Sequence, residues 1–165
     1  ENKVNGWGVP PVGFGRSGVH GNFYIRGAIQ SMRGIVANDA EEAMYMARAK
    51  DQNGDSITSK HTYELHFPPG QTPPARYFWS LTVYDQDANL MLNDYDRYAI
   101  SGNSEDLIYE DDGSLRILIG GKPPEGMVGN WLPAGESFTR VTLRVYGPEK
   151  AMIERTWKPP QLKRL

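Results

Sequence analysis

The sequence predicts a mainly β protein, an antiparallel sandwich or barrel that carries one main helix near its start. Three observations lead there. Beyond Lys50 the chain is written in short β-branched or aromatic runs, "HTYELHF", "YFWSLTVYD", "RYAIS", "SLRILIG" and "RVTLRVYG", separated by Gly, Pro, Asn and Asp. Two of these runs alternate. Val141, Leu143 and Val145 share one face against Thr142, Arg144 and Tyr146, and Trp79, Leu81 and Val83 alternate with Ser80, Thr82 and Tyr84. That is the pattern of a strand buried on one side and polar on the other. Only "FYIRGAIQSMRGI", Phe23 to Ile35, sets its apolar residues at spacings of three and four, through Tyr24, Ile25, Ala28, Ile29, Met32 and Ile35.

Taken in order, residues 1–22 read as an extended arm. "NGWGVPPVGFGRSGVHGN" is dense in Gly and Pro, which disfavours regular structure. Within it "GFGRSG", Gly13 to Gly18, has the glycine spacing of a dinucleotide-binding loop. Pro10 and Pro11 remove the donors an incoming central strand needs, and Gly21 precedes any outgoing helix, so no nucleotide is expected there. Trp7, Val9, Val12 and Phe14 place apolar groups on this arm, which predicts packing against a second copy or a partner domain. Residues 23–165 then form a single domain. After the helix, "ANDAEEAMYMARAK" is ambiguous: Asp39 and Glu42 have capping-box spacing, whereas Met44, Met46 and Arg48 alternate. The Asn-Gly signal in "DQNGD" favours a hairpin strand.

Composition narrows the function classes. With 18 Lys plus Arg against 20 Asp plus Glu, the net charge of -2 gives no electrostatic reason to expect nucleic acid. No run approaches the roughly 18–20 apolar residues of a spanning helix, so no membrane partner is expected. The chain has no cysteine, which excludes disulfides, thiolate metal sites and cysteine nucleophiles. It opens at Glu1 without a basic-then-apolar leader, as a processed chain or a fragment of a longer one would.

Several long phrases together resemble a known bacterial family. "ANDAEEAMY", "YELHFPPGQTPPARYFWSLTVYD", "DRYAIS", "DGSLRILI", "NWLPAGESFTRVTLRVYGP" and "TWKPP" occur in the order found in domain of unknown function 1214. The resemblance implies an antiparallel jelly-roll, and a place as the C-terminal half of proteins that often begin with domain of unknown function 1254. It leans towards an exported or periplasmic location. It implies no assigned activity.

The polar residues that could make a site are Tyr84, Asp85, Asn93, Arg97 and Tyr98, brought near Asn130, Trp131, Arg140 and Arg144 if Asp85 and Arg97 flank one hairpin. Aromatic faces beside arginine forks and carboxylates suit sugars or carboxylate ligands. The expected function is therefore a module that binds a small polar ligand or serves assembly. The alternative is a cofactor-independent hydrolase of a carbohydrate or other small polar substrate, with its carboxylates drawn from Glu42, Glu64, Asp85 and Asp96. Asp85, Asp87, Asn89 and Asp96 fall at calcium-loop spacing, but Leu90 stands where that loop needs glycine, so a hairpin tip is the expectation and no metal. His61 and His66 would point to opposite faces of one strand, and neither His20 nor Ser17 lies in a nucleophile motif. No cofactor is expected.

Overall fold

A computed structural model describes residues 2–11, 21–33 and 38–165, and the side chains of residues 32 and 33 are left aside. "GFGRSG", Ser17, His20, Val12 and Phe14 all lie outside the described residues. The strands are β1 (Lys3–Val4), β2 (Trp7–Gly8), β3 (Ala43–Arg48), β4 (Tyr63–Phe67), β5 (Ala75–Tyr84), β6 (Ala99–Ser101), β7 (Leu115–Ile119), β8 (Trp131–Leu132), β9 (Arg140–Pro148) and β10 (Lys163–Arg164). Helix α1 covers Phe23–Arg33, and a single turn, α2, covers Lys150–Ile153. Among the described residues no helix is long and apolar enough to cross a membrane.

Two sheets share one core. The larger has the order β1-β2-β3-β9-β5-β6 and is antiparallel throughout; the smaller has the order β10-β4-β7-β8, with β7 and β8 parallel. Alternation explains the packing. Met44 and Met46 of β3, Trp79, Leu81 and Val83 of β5, and Val141, Leu143 and Val145 of β9 point inward to meet Tyr63, Leu65 and Phe67 of β4 and Leu115, Ile117 and Ile119 of β7. Each such aliphatic side chain contributes about 1.5–3 kcal/mol by leaving water. The Phe67 and Trp79 rings, 5.9 Å apart, join the sheets directly.

The ambiguous stretch before Lys50 is strand β3, because its inward positions carry Met44, Met46 and Arg48. Buried Arg48 donates to the carbonyls of Asn5, Lys50 and Asp51, which fastens the β1–β2 turn to the sheet. The Asn53–Gly54 turn forms, closed by a Lys50–Ser56 bridge, but it makes no hairpin of β3 with β4, which lie in different sheets. Asp51 Oδ1 accepts the N–H groups of Asn53 and Asp55, at 2.8 and 3.1 Å, and Gly54 takes φ +88°.

The segment expected to be an extended arm is different where it is described. Val4-Asn5-Gly6-Trp7 makes a two-residue hairpin, with Asn5 at φ 49° and Gly6 at φ 84°, as a type I′ turn requires. Gly8 pairs with Ala47, so the hairpin extends the large sheet. Trp7 is 1% exposed and Val9 is buried, both in the chain's own core, so neither provides an apolar surface for assembly. The Trp7 indole N–H donates to the Pro160 carbonyl at 2.8 Å and ties the start of the chain to its end.

Candidate functional site

The outward face of the large sheet is set by register. Opposite pairs in neighbouring strands share a face, so Tyr84 and Arg140 stand side by side, as do Thr82 with Thr142, Ser80 with Arg144, and Phe78 with Tyr146. On the other side of β9, Tyr45 lies opposite Arg144. Arg140 and Arg144 flank one ring: their guanidinium carbons lie 5.4 and 5.3 Å from the Tyr84 centroid, and Arg144 Nη2 donates to the Tyr84 hydroxyl. Neither arginine has a carboxylate within 4 Å among the described residues. Arg140 Nε is buried and has no hydrogen-bond acceptor among them. The two cations are thus held on one aromatic ring with donors to offer.

Further along the same face, Phe78 and Tyr146 stack at 4.5 Å between centroids, and Tyr45 meets Tyr146 edge-on at 6.5 Å. Asn38 Nδ2 donates to the Tyr45 hydroxyl at 2.9 Å. Burial raises the Tyr45 phenol above its usual pKa, and neighbouring Tyr146 adds to the shift. Tyr45 therefore stays a neutral hydroxyl at physiological pH. Sequence reasoning did not single out Tyr45, Phe78 or Tyr146 as site residues, although the alternation of β5 and β9 already placed ring and guanidinium side chains on one face.

The remaining expected residues are drawn into other tasks. Arg97 donates from Nε to the Trp131 carbonyl and from Nη2 to the Gly129 carbonyl, each at 3.2 Å, and pairs with Asp106, so its fork is occupied by loop ties. Asn130 is fully buried: its side chain accepts the Ile108 N–H at 2.8 Å and donates to the carbonyls of Ile108 and Arg116, at 2.6 and 2.9 Å. Trp131 is 2% exposed and donates its indole N–H to the Gly120 carbonyl. Asn93 closes its own loop, accepting from the N–H groups of Tyr95 and Arg97. Tyr98 bonds to the Asp96 side chain, and burial, ahead of that bond, raises its phenol pKa. The nine residues therefore do not form one cluster. Tyr84, Arg140 and Arg144 converge, with Asp85 at their margin.

Asp85 caps the hairpin tip. Its Oδ1 accepts the N–H groups of Asp87 and Asn89 at 2.9 and 2.8 Å, and Tyr84 bridges to Leu90 across the loop. The Asn89 N–H, foremost among these bonds, holds the Asp85 carboxyl below its ordinary pKa, and the charge of Arg140 acts in the same direction. No group of three or more His, Cys, Asp or Glu able to share a metal ion occurs among the described residues. Of the carboxylates considered for hydrolysis, Asp96 lies with Asp85 in the β5–β6 connection, and Glu42, Glu64 and Asp85 do not converge. Glu42 precedes the β3 residue that pairs with Tyr146, whereas Asp85 follows the β5 residue that pairs with Arg140, which puts them at opposite ends of β9. Glu64 lies on the other sheet.

That other sheet has its own outer hollow, about 360 Å³, lined by Gln52, Glu64, His66, Pro160, Gln161 and Lys163. Its charges are matched. Glu64 lies 3.9 Å from Arg116 and 3.8 Å from Lys163, and Arg116 also pairs with Glu110, whose hydrogen bond raises the guanidinium pKa. His61 sits outside β4, edge-on to Tyr63 at 6.4 Å, and His66 lies on the β4 outer face opposite Arg116. Around Tyr84, by contrast, neither guanidinium has a carboxylate within 4 Å among the described residues.

The VPA0106 protein from Vibrio parahaemolyticus, a crystal structure, is similar with a TM-score of 0.70 at 24% identity, over 87% of this chain and 35% of that one; at that identity the likeness concerns the fold. An uncharacterised protein from Burkholderia cenocepacia gives a TM-score of 0.47 at 18% identity, over 78% of this chain and 31% of that one. The chain thus spans about a third of the length of either structure. No match is found among curated proteins. The family model described as "Protein of unknown function (DUF1214)" matches residues 42–150, more than half of the chain's 165 residues, and the chain belongs to that family.

Proposed function

We propose that this chain is a non-catalytic, jelly-roll-like module that binds a small carboxylate-bearing polar ligand, of the sugar-acid kind, on the outer face of its large sheet. The observation that carries the reading is the Tyr84 clamp, two guanidiniums on one ring with no carboxylate within 4 Å of either among the described residues and Asp85 only at their margin. Two like charges held close repel each other, and an anion placed between them removes that cost and accepts bidentate hydrogen bonds. The buried Arg140 Nε adds a donor in need of an acceptor. A hydrolase of the glycosidase type would need two carboxylates about 5–9.5 Å apart across the scissile bond. The separation of Glu42, Glu64 and Asp85 supports binding over that chemistry.

The test is calorimetry of the native chain with galacturonate and glucuronate, against galactose and glucose as neutral controls. The acids bind and the neutral sugars bind at least about tenfold more weakly, the difference one charge-assisted bond of about 1.5–3 kcal/mol makes. Arg144→Lys keeps the charge and loses the fork, so it weakens the acids while the fold stays intact by circular dichroism. Equal binding of acids and neutral sugars, or no binding of either, overturns the reading.

A further inference from the structure

We infer that the clamp is one end of an extended platform and that the ligand is an acidic oligosaccharide, a chain of sugar acids lying along β5 and β9; this rests on the binding reading above. On the outward side of β5 the residues run from Tyr84 through Thr82, itself buried, and half-buried Ser80 to Phe78, and those of β9 run beside them from Arg140 to Tyr146. At about 3.3 Å per residue, the six steps from Tyr84 to Phe78 cover about 20 Å, more than one sugar ring can bridge. The chemistry changes along that length. Cations on a ring hold one end, the half-buried hydroxyl residues Ser80 and Thr142 occupy the middle, and the stacked pair Phe78 and Tyr146 holds the far end.

The far end is built with the means a ring-stacking subsite needs. Phe78 is 36% exposed on a face that also carries Ser80, Thr142, Arg144 and Tyr146. Its orientation is fixed, because it stacks on Tyr146, which Tyr45 supports edge-on from the next strand. The register slips between Ala75 and Phe78, a β-bulge that leaves Tyr77 68% exposed and folds its ring over Gly147. Gly147 has φ +61°, and a Cβ there would press into the Tyr77 ring, so this packing needs glycine. Bulges re-aim side chains next to binding sites. The C–H face of a pyranose is apolar and packs on an aromatic ring while its hydroxyls reach sideways to Ser and Thr. A lone carboxylate would leave the aromatic end unused. A neutral chain would leave the guanidiniums unmatched.

Calorimetry distinguishes this from the simpler reading by chain length. The native chain is titrated with galacturonate, tetragalacturonate and neutral cellotetraose, and the set is repeated on Phe78→Ala, on Phe78→Leu, which keeps apolar bulk without a ring face, and on Arg144→Lys. Tetragalacturonate binds at least about tenfold tighter than the monomer because linked contacts act at high effective concentration. Both Phe78 variants bring the ratio of tetramer to monomer affinity down towards one, and Arg144→Lys weakens tetramer and monomer alike. If the monomer binds and the tetramer gains nothing, the extended platform is refuted while the clamp survives. An undiminished ratio in both Phe78 variants refutes it as well. If neither acid binds, clamp and platform fall together, and if cellotetraose binds as tightly as the acidic tetramer, the acidic assignment is wrong.

Discussion

Replacing Trp7 by alanine should unfold the domain far more readily, although the residue lies at the start of the chain in a stretch dense in glycine and proline. Trp7 is 1% exposed and packs in the common core, so truncation removes a large apolar surface and leaves a cavity, a change that costs about 3–5 kcal/mol. The indole N–H also satisfies the Pro160 carbonyl at 2.8 Å, and an orphaned carbonyl adds about 1 kcal/mol or more. In a domain of this length each kcal/mol moves the melting temperature by about 2–4 °C, so a loss of about 4 kcal/mol lowers it by about 8–16 °C. Urea denaturation followed by far-ultraviolet circular dichroism measures the free energy, and scanning calorimetry the temperature. Trp7→Phe, which keeps most of the apolar volume but not the donor, should fall between native and Trp7→Ala. A loss below about 1 kcal/mol in Trp7→Ala would show that the β1–β2 hairpin is not part of the cooperative unit.

Three further outcomes follow from side chains already placed. Asn130→Ala strands the Ile108 N–H and two carbonyls in the interior and should cost about 2–4 kcal/mol in urea denaturation while leaving sugar-acid affinity within about twofold. Arg97→Lys keeps a cation near Asp106 but loses the bonds to the Trp131 and Gly129 carbonyls, so the midpoint of urea denaturation should fall by an amount equivalent to about 1–2 kcal/mol. Asp85 is held below its ordinary pKa by the Asn89 N–H first, and Asp112 by Ser114 first, whose backbone N–H donates to Asp112 Oδ1 at 2.8 Å. Because the folded values are the lower ones, this stability is complete above the unfolded aspartate pKa of about 3.9 and is lost as pH falls through the folded values. Melting temperature recorded against pH should drop in that acid range, and less steeply in an Asp85→Asn, Asp112→Asn double variant.

What could be read from the sequence depended on whether the signal was local. Strands β4, β5, β7 and β9 were legible because one inward and one outward face alternate within each run, and a residue's neighbours at two positions decide its side. Strand β3 was half legible, since Met44, Met46 and Arg48 alternate while Asp39 and Glu42 mimic a helix start. The β1–β2 hairpin was missed although its signal stood in the text: Asn5-Gly6 between Val4 and Trp7 is a two-residue turn between apolar residues, outweighed by the glycines and prolines that follow it. The apolar residues of that segment pack inward against the chain's own end, a contact 153 positions away along the sequence.

Arg97 and Arg144 show why the candidate site was only partly legible. Arg97 precedes Tyr98 directly and Arg144 lies two residues before Tyr146, both in β-rich stretches, and the residue type alone does not separate them. The difference lies in where their donors go. Arg97 comes from a loop, where backbone carbonyls lack strand partners, and its fork is taken by Gly129, Trp131 and Asp106, which reach it only once β6 and β8 lie at one edge of the fold. Arg144 sits in the middle of β9, flanked by β3 and β5, where the ladders on both sides already use the backbone carbonyls. Its guanidinium has only side chains to meet, and register supplies Tyr84 rather than a carboxylate. An arginine on the outer face of a central strand therefore keeps donors that no backbone carbonyl takes, whereas one in a loop is consumed by closing it. That distinction depends on strand order, and strand order is a property of long-range pairing that no short window of residues contains.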